Sequence, residues 1–404
     1  MNDTKILKVT EDVHWIGVLD RDIVTFDVVM ETKYGTTYNS YFIDADKKTI
    51  VETSKEKFWD VYLNKIKNVC KPEDIEYIIV NHTEPDHSGN IAKLLNVAKN
   101  AKVVASGTAI RYLTDLIGYD FPHIIVKDGE QLDLGNKTLS FISAPNLHWP
   151  DSMFTYLHED KLLFTCDAFG AHFCHEQMFD DIVGNYDDAF KYYFDVILKP
   201  FSKFMLKAIE KIKPLDIAAI CPGHGPILRK HWKRITELTA QYAEEALKMP
   251  QRKLVFMPYV TAYDKTGKVA EKIAEGIKNT ADVDVEICNI ELMPLGDIDA
   301  RIGKSSAYVI GSPTINQNTL LPIYKMFALL NPIRDRNKLA AAFGSYGWSG
   351  EATSIIEANL KSLKLNVFEE SFSFKFTPHN IVLKQAFEFG ERFGKKLMAN
   401  CANQ

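Results

Sequence analysis

Asn81-His82-Thr83-Glu84-Pro85-Asp86-His87-Ser88-Gly89 brings four candidate metal ligands, His82, Glu84, Asp86 and His87, into six consecutive residues. The stretch follows Tyr77-Ile78-Ile79-Val80, an apolar, β-branched run of the kind that forms a buried strand. A strand end leading into a loop can turn alternate side chains toward one place, and Pro85 and Gly89 favour a fixed irregular backbone there over a helix. Such a cluster suits two metals side by side. Working outward, further ligand types recur just after other strand-like runs: His148 after Leu139 to Ser143, Asp167 after Leu162 to Thr165, and His224 within Pro222-Gly223-His224-Gly225-Pro226. Any one of these alone reads as a satisfied polar residue. Four clustered ligands followed by three more at strand ends read as a metal centre.

Around this centre the chain divides in two. Short strands from Val13 to Val51 precede a mixture of strands (Tyr77 to Val80, Lys102 to Ala105, His123 to Val126, Met153 to Leu157, Ile217 to Ile220) and helical patterns (Glu56 to Val69, Ile91 to Ala98, Asp187 to Ile212, His231 to Leu247). The polar, proline-containing Met249-Pro250-Gln251-Arg252-Lys253 marks a boundary. Beyond it, strands at Leu254 to Met257, Val283 to Ile290, Ala307 to Ile310, Leu339 to Phe343 and Leu365 to Glu369 alternate with helices at Lys268 to Lys278, Leu321 to Leu330, Ser354 to Ser362 and Asn380 to Met398. That alternation predicts an α/β, doubly wound parallel sheet. We therefore expect two domains, 1–250 and 251–404.

Composition narrows the function classes. The 404 residues are 46% hydrophobic and 25% charged, an ordinary globular balance. With 48 Lys+Arg against 53 Asp+Glu, the formal charge of -5 and the lack of a like-charge block speak against nucleic acid. No apolar run approaches the roughly 20 residues of a membrane span, and the N-terminus has no signal core, so a cytoplasmic protein is expected. Six cysteines, Cys70, Cys166, Cys174, Cys221, Cys288 and Cys401, form no C-x-x-C pair. Metal must be held by other side chains.

The second domain carries its own constellation. Thr261-Ala262-Tyr263-Asp264-Lys265-Thr266-Gly267 leads from a strand into a helix, a hydroxyl-rich loop where backbone N–H groups and the helix dipole can hold a phosphate. Ordinary N-capping is the competing account. Two later loops, Ser312-Pro313-Thr314-Ile315-Asn316 and Ser345-Tyr346-Gly347-Trp348-Ser349-Gly350, follow parallel strands. Their small residues allow close approach to a flat ring, on which Tyr346 and Trp348 can stack. No G-x-G-x-x-G nicotinamide fingerprint occurs.

His82-x-Glu84-x-Asp86-His87 resembles the H-x-H-x-D-H motif of the metallo-β-lactamase fold, with Glu84 replacing the second His. A carboxylate is a harder ligand than imidazole and shifts the site from zinc toward iron or manganese. Together with His148-Trp149-Pro150-Asp151-Ser152-Met153 and Asp167-Ala168-Phe169-Gly170, the chain closely resembles, over almost its whole length, the flavodiiron proteins, or A-type flavoproteins. The resemblance implies an N-terminal metallo-β-lactamase-like αβ/βα sandwich and a C-terminal flavodoxin-like domain. It also implies a ligand set: one iron on His82, Glu84 and His148, a second on Asp86, His87 and His224, and Asp167 bridging both. The three loops of the second domain resemble those of a flavodoxin that binds FMN at its switch point. His172 and Tyr193 map to proton-supplying positions, with Tyr192 competing for the second and a core-packing role open for both tyrosines.

The implied activity is reduction of O2 to water, and of NO to N2O, at a diiron site fed by FMN. The implied assembly is a head-to-tail homodimer or a tetramer built from it, in which the flavin of one subunit serves the irons of the other. Rubredoxin-type cysteines are missing, so electrons are expected from an external donor, rubredoxin or reduced coenzyme F420. Two departures stand out: Phe26-Asp27-Val28 where many members have Phe-His-Gly, and Lys265 where the phosphate loop often has Ser or Thr. The competing classes are a zinc hydrolase of the glyoxalase or lactamase kind, against which Glu84 and the flavin loops argue, and a non-catalytic electron-transfer flavoprotein with a metal-free first domain.

Overall fold

The strand that feeds the ligand cluster, Ile75–Val80, shows why the first unit is layered. Ile78 and Val80 face one way, toward Tyr62, Ile66, Leu94 and Leu113 on helices, while Ile79 faces the other, toward Phe141, Phe164 and Cys221 of a second sheet. With both faces covered, alternation gives way to a continuous apolar run. The computed structural model describes residues 4–26, 30–248, 252–368 and 371–402, the side chains of 401 and 402 excepted. Asp27, Met249, Pro250, Gln251 and Glu369 therefore lie outside the described residues, as does the side chain of Cys401.

The chain separates into two compact units, Met1–Lys248 and Met249–Gln404. In the first, a seven-stranded sheet runs Leu7–Lys8, Val13–Trp15, Tyr41–Ile43, Lys48–Val51, Ile75–Val80, Lys102–Ser106, His123–Val126, antiparallel through Lys48–Val51 and parallel from there on. A five-stranded sheet runs Gln131–Asp133, Thr138–Ser143, Met153–Leu157, Leu162–Cys166, Ala219–Pro222. The sheets pack face to face, and helices cover both outer faces. This is the αβ/βα sandwich expected of a metallo-β-lactamase-like domain.

The second unit is a parallel sheet in the order Val283–Asn289, Lys253–Tyr259, Ala307–Gly311, Leu339–Tyr346, Asn366–Val367, that is, 2-1-3-4-5 in chain order. The order reverses between the first and third strands, which puts a ligand crevice at their carboxyl ends, the flavodoxin arrangement. Helices Lys265–Thr280 and Asn380–Ala402 cross where glycines let the backbones meet. A Cβ on Gly276 would lie 2.0 Å from the Phe387 carbonyl oxygen, and one on Gly390 lies 2.1 Å from that of Ile273. Gly390→Ala should therefore cost about 1–3 kcal/mol by overpacking, read as a lower urea midpoint at unchanged slope. An unchanged midpoint would show that the helices part freely.

Several sequence expectations need correction. The Asn81 to Gly89 stretch is not wholly irregular: Pro85–Ser88 forms a helical turn, with proline at the first position where its missing N–H costs nothing. The single helix expected from Asp187 to Ile212 is Asp187–Tyr193, a π-turn at Phe194–Leu198, a 3-10 turn at Lys199–Phe201 and a further helix at Ser202–Ile212. Pro200 lacks the N–H that an unbroken helix requires. The strand expected from Leu365 to Glu369 is shorter, Asn366–Val367, and Phe372–Lys375 adds to the same neighbour farther along. Helices Gly107–Ile117 and Leu295–Lys304 and strand Gln131–Asp133 were not anticipated.

Candidate metal centre and flavin loops

Each predicted ligand leaves the end of a strand on the same side of the two sheets. His82 and Glu84 follow Ile75–Val80, and Asp86 and His87 occupy the Pro85–Ser88 turn. His148 lies between the strands Thr138–Ser143 and Met153–Leu157, Asp167 follows Leu162–Cys166, and His224 follows Ala219–Pro222. The structure brings all seven together in two sets. His82 Nε2 lies 3.3 Å from Glu84 Oε2, and His148 Nε2 lies 3.0 Å from the same oxygen. On the other side, Asp86 Oδ2 lies 3.1 Å from His224 Nε2 and 3.5 Å from His87 Nε2.

Asp167 stands between the sets and divides its oxygens. Oδ2 is 3.3 Å from His148 Nε2 and 3.5 Å from His82 Nε2, whereas Oδ1 is 3.0 Å from His87 Nε2 and 3.4 Å from His224 Nε2. Both Asp86 oxygens and Asp167 Oδ2 are buried without a hydrogen-bond donor. Buried carboxylate oxygens rarely go unpaired, and oxygens converging on imidazole nitrogens fit a pair of cations. Burial works against charged imidazole, yet the surrounding carboxylates outweigh it and push His82, His87 and His148 up to about 10. The hole thus draws in positive charge, which a dication supplies in place of protons.

Of the donors, four are nitrogen and three are carboxylate, a set that suits iron. Cys166 lies beside His87 and Asp167. Burial pushes its thiol well above the ordinary value, so it offers no thiolate of the kind that favours zinc.

Around the donors, a second layer sets the rings. Asp151 Oδ2 accepts from Thr83 N–H and Thr83 Oγ1, both at 2.8 Å, and lies 3.2 Å from His82 Nδ1. His224 Nδ1 donates to the Thr37 carbonyl at 2.5 Å. Both contacts leave Nε2 free to face a metal. The motif alone gives Asp151 no role, because its partnership with Thr83 depends on a loop closing over 68 residues. Asp151→Ala should weaken metal binding roughly 10–100-fold, measured by competition with a chelator. Wild-type affinity in that variant would remove Asp151 from the site.

Tyr193, not Tyr192, reaches the cluster: its hydroxyl donates to Asp167 Oδ1 at 3.0 Å, while Tyr192 is 36% exposed. His172 lies edge-on to Tyr193, ring centroids 4.9 Å apart, and also stacks obliquely on Phe26 at 4.4 Å. Burial, reinforced by His224, holds its pKa well below the ordinary value.

In the second unit, the first loop ends at Asp264, in the left-handed region, and helix Lys265–Thr280 begins directly after it. Thr261 Oγ1 and Thr266 Oγ1 are buried there without partners, hydroxyls poised for an anion at a helix N-terminus. Gly267 is held tightly, since a Cβ would lie 3.0 Å from the Tyr259 hydroxyl. Thr314 joins the two later loops: its N–H donates to the Ser345 carbonyl at 2.8 Å, and its Oγ1 accepts from Ala352 N–H at 3.1 Å. Ser312 Oγ accepts from Leu320 N–H. Asn316 takes a left-handed conformation at a tight turn closed by Ile315 and Asn318. Tyr263 and Trp348 are each 80% exposed, flat apolar surface at the crevice. Unpaired hydroxyls and free aromatic faces fit the phosphate and ring of a flavin mononucleotide.

The sandwich with its two donor sets, followed by a 2-1-3-4-5 sheet with these loops, defines a metallo-β-lactamase-like protein fused to a flavodoxin. The family models agree: one described as ODP family beta lactamase matches residues 36–225, and one described as flavodoxin matches residues 258–390. The chain is 39% identical over 399 residues to the flavo-diiron protein FprA2 of Clostridium acetobutylicum, covering 97% of this chain and 99% of that one. It is 34% identical over 397 residues to a nitric oxide reductase of Moorella thermoacetica, covering 96% and 98%. Among solved structures, the rubredoxin oxygen:oxidoreductase of Desulfovibrio gigas superposes with a TM-score of 0.74 at 28% identity, covering 98% of this chain and 100% of that one. The chain belongs to the flavo-diiron protein family, the type A flavoproteins.

Proposed function

We propose that this chain is an oxidoreductase that reduces O2 to water, and NO to N2O, at a non-haem diiron centre fed by FMN. The observation that carries the reading is Asp167, whose two oxygens face two separate donor sets. In this reading His82, Glu84 and His148 would hold one iron, Asp86, His87 and His224 would hold the other, and Asp167 would serve both. The loops 261–267, 312–316 and 345–350 would hold FMN. Bound there, two irons and one FMN supply the four electrons that take O2 to two waters, or those that join two NO molecules into N2O.

The chain's own groups orient and protect. Asp151 and the Thr37 carbonyl fix the faces that His82 and His224 present. Tyr193, bonded to Asp167, and His172 beside it hold protons next to the substrate. Phe26 packs on His172 and Trp149 on His82, covering part of the cluster with apolar rings.

Electrons come from an external donor, rubredoxin or reduced F420. The working unit is a cytoplasmic head-to-tail homodimer, or a tetramer built from it, which the exposed Tyr263 and Trp348 support. Full turnover by a monomer on a sizing column would overturn that assembly. The primary test is anaerobic: reduced protein with two irons and one FMN per chain should consume O2 without releasing peroxide, and convert NO to N2O. Consumption of neither gas at full occupancy sinks the reading. The faster gas identifies the working substrate.

A further inference from the structure

Strand Thr36–Tyr38 runs behind two histidines of the site and gives each a different hydrogen-bonding group. The Thr37 carbonyl can only accept, so His224, 2.5 Å away, must carry its proton on Nδ1. Thr37 Oγ1 accepts from Gly225 N–H at 2.8 Å and steadies the same loop. The Thr36 hydroxyl lies 2.7 Å from His172 Nδ1. Its other two neighbours, His224 Nδ1 and the Thr37 carbonyl, are each 3.5 Å away.

Those distances decide where the hydroxyl proton goes. His224 Nδ1 already bears a proton and is no acceptor. The Thr37 carbonyl is beyond the usual O–H···O range and is engaged by His224. Only His172 Nδ1 remains as an acceptor at bonding distance. His172 is buried, and a nitrogen that accepts a hydrogen bond bears no proton, so a ring accepting at Nδ1 is in its neutral form. A neutral ring that accepts at Nδ1 carries its single proton on Nε2. Nε2 is itself buried and has no partner among the described residues. Its ring neighbours are Tyr193, which holds the Asp167 carboxylate, and His224, 5.0 Å away. A buried N–H with no protein acceptor beside a reactive pocket calls for a ligand atom.

We propose that Thr36 is a positioning residue: its hydroxyl sets His172 as the Nε2–H tautomer and so gives the site an uncharged donor for an oxygen or nitrogen atom of the bound substrate. The opposite tautomer would present a lone pair to the lone pairs of the substrate. What Nε2–H donates to rests on the proposed gas reduction, whereas the tautomer itself does not.

The test uses full-length protein labelled with [15N]histidine and loaded with zinc, whose closed shell keeps the spectra sharp. His172 is identified by the signals lost in His172→Gln. In the wild type the expected pattern is a bare, hydrogen-bonded Nδ1 and a protonated Nε2. Thr36→Ser should keep it, and Thr36→Val should move proton density to Nδ1. In iron-loaded protein, Thr36→Val should lower kcat about tenfold, the size of one lost hydrogen bond, with KM changed less than about twofold, and Thr36→Ser should restore it. A proton on Nδ1 in the wild type overturns the proposal without any variant. So does a wild-type 15N pattern in Thr36→Val. A shifted tautomer combined with no gas reduction even in the wild type would uphold the role of Thr36 and overturn the gas-reducing function instead.

Discussion

Asp167→Asn should lower gas reduction about 10³-fold or more, close to 4 kcal/mol of lost transition-state stabilisation, while FMN content stays at one per chain. The carboxylate presents Oδ1 to His87 and His224 and Oδ2 to His148 and His82, at 3.0 to 3.5 Å. Asparagine keeps one oxygen and replaces the other with an NH2, whose protons would point into one donor set and repel a cation there. Tyr193 would also donate to a neutral oxygen instead of a carboxylate, a weaker bond. Iron analysis should fall below two per chain, and the loss should not be rescued by excess iron. Two tightly held irons and wild-type turnover in this variant would show that Asp167 does not bridge.

Far from the metal ligands, Asp335→Ala should destabilise the flavodoxin unit by about 3–5 kcal/mol, because it strands charges arranged around a buried carboxylate. Asp335 is 1% exposed. Arg334 Nη2 meets it at 3.0 Å, Lys338 Nζ at 2.8 Å, the Tyr308 hydroxyl at 3.0 Å and the Asn331 N–H at 2.9 Å. Through Tyr308, whose hydroxyl lies 3.0 Å from the Ile302 carbonyl as well, the network ties helix Leu295–Lys304 to the sheet. Burial raises the Asp335 pKa, but Arg334 and Lys338 outweigh it and hold the carboxyl below its ordinary value. The stabilisation is complete above the unfolded value, roughly 3.9, and is lost as pH falls through the lower folded value. Urea unfolding followed by flavin fluorescence should show wild type and Asp335→Ala converging in stability below about pH 4. A constant gap across that range would assign the effect to packing rather than charge.

The candidate donors were legible as candidates because most of them follow closely on strand ends, and strand ends are visible as short apolar runs. Asp167 after Leu162–Cys166 and His224 after Ala219–Pro222 need no long-range knowledge to be suspected. The partners of those donors were not legible. Asp151 and Thr36 look like ordinary polar residues, and their meaning arises only when loops 68 and 136 residues away fold against them. Helix Leu295–Lys304 was missed because Gly296 and Asp297 open it and its apolar face is narrow, only Ile298 and Ile302 being buried. The break at Pro200 was visible in principle, but the apolar spacing on either side stayed in phase and masked it.

The crossing of helices Lys265–Thr280 and Asn380–Ala402 also has a temporal side. The phosphate-loop helix rests its glycine face on residues translated more than a hundred positions later. At ribosomal speed that delay is on the order of ten seconds, during which the nascent loop has no buttress. The candidate metal donors, by contrast, all fall between His82 and His224 and are synthesised before the first strand of the flavodoxin unit. The order of synthesis thus favours a polypeptide competent to take up iron before it can retain flavin.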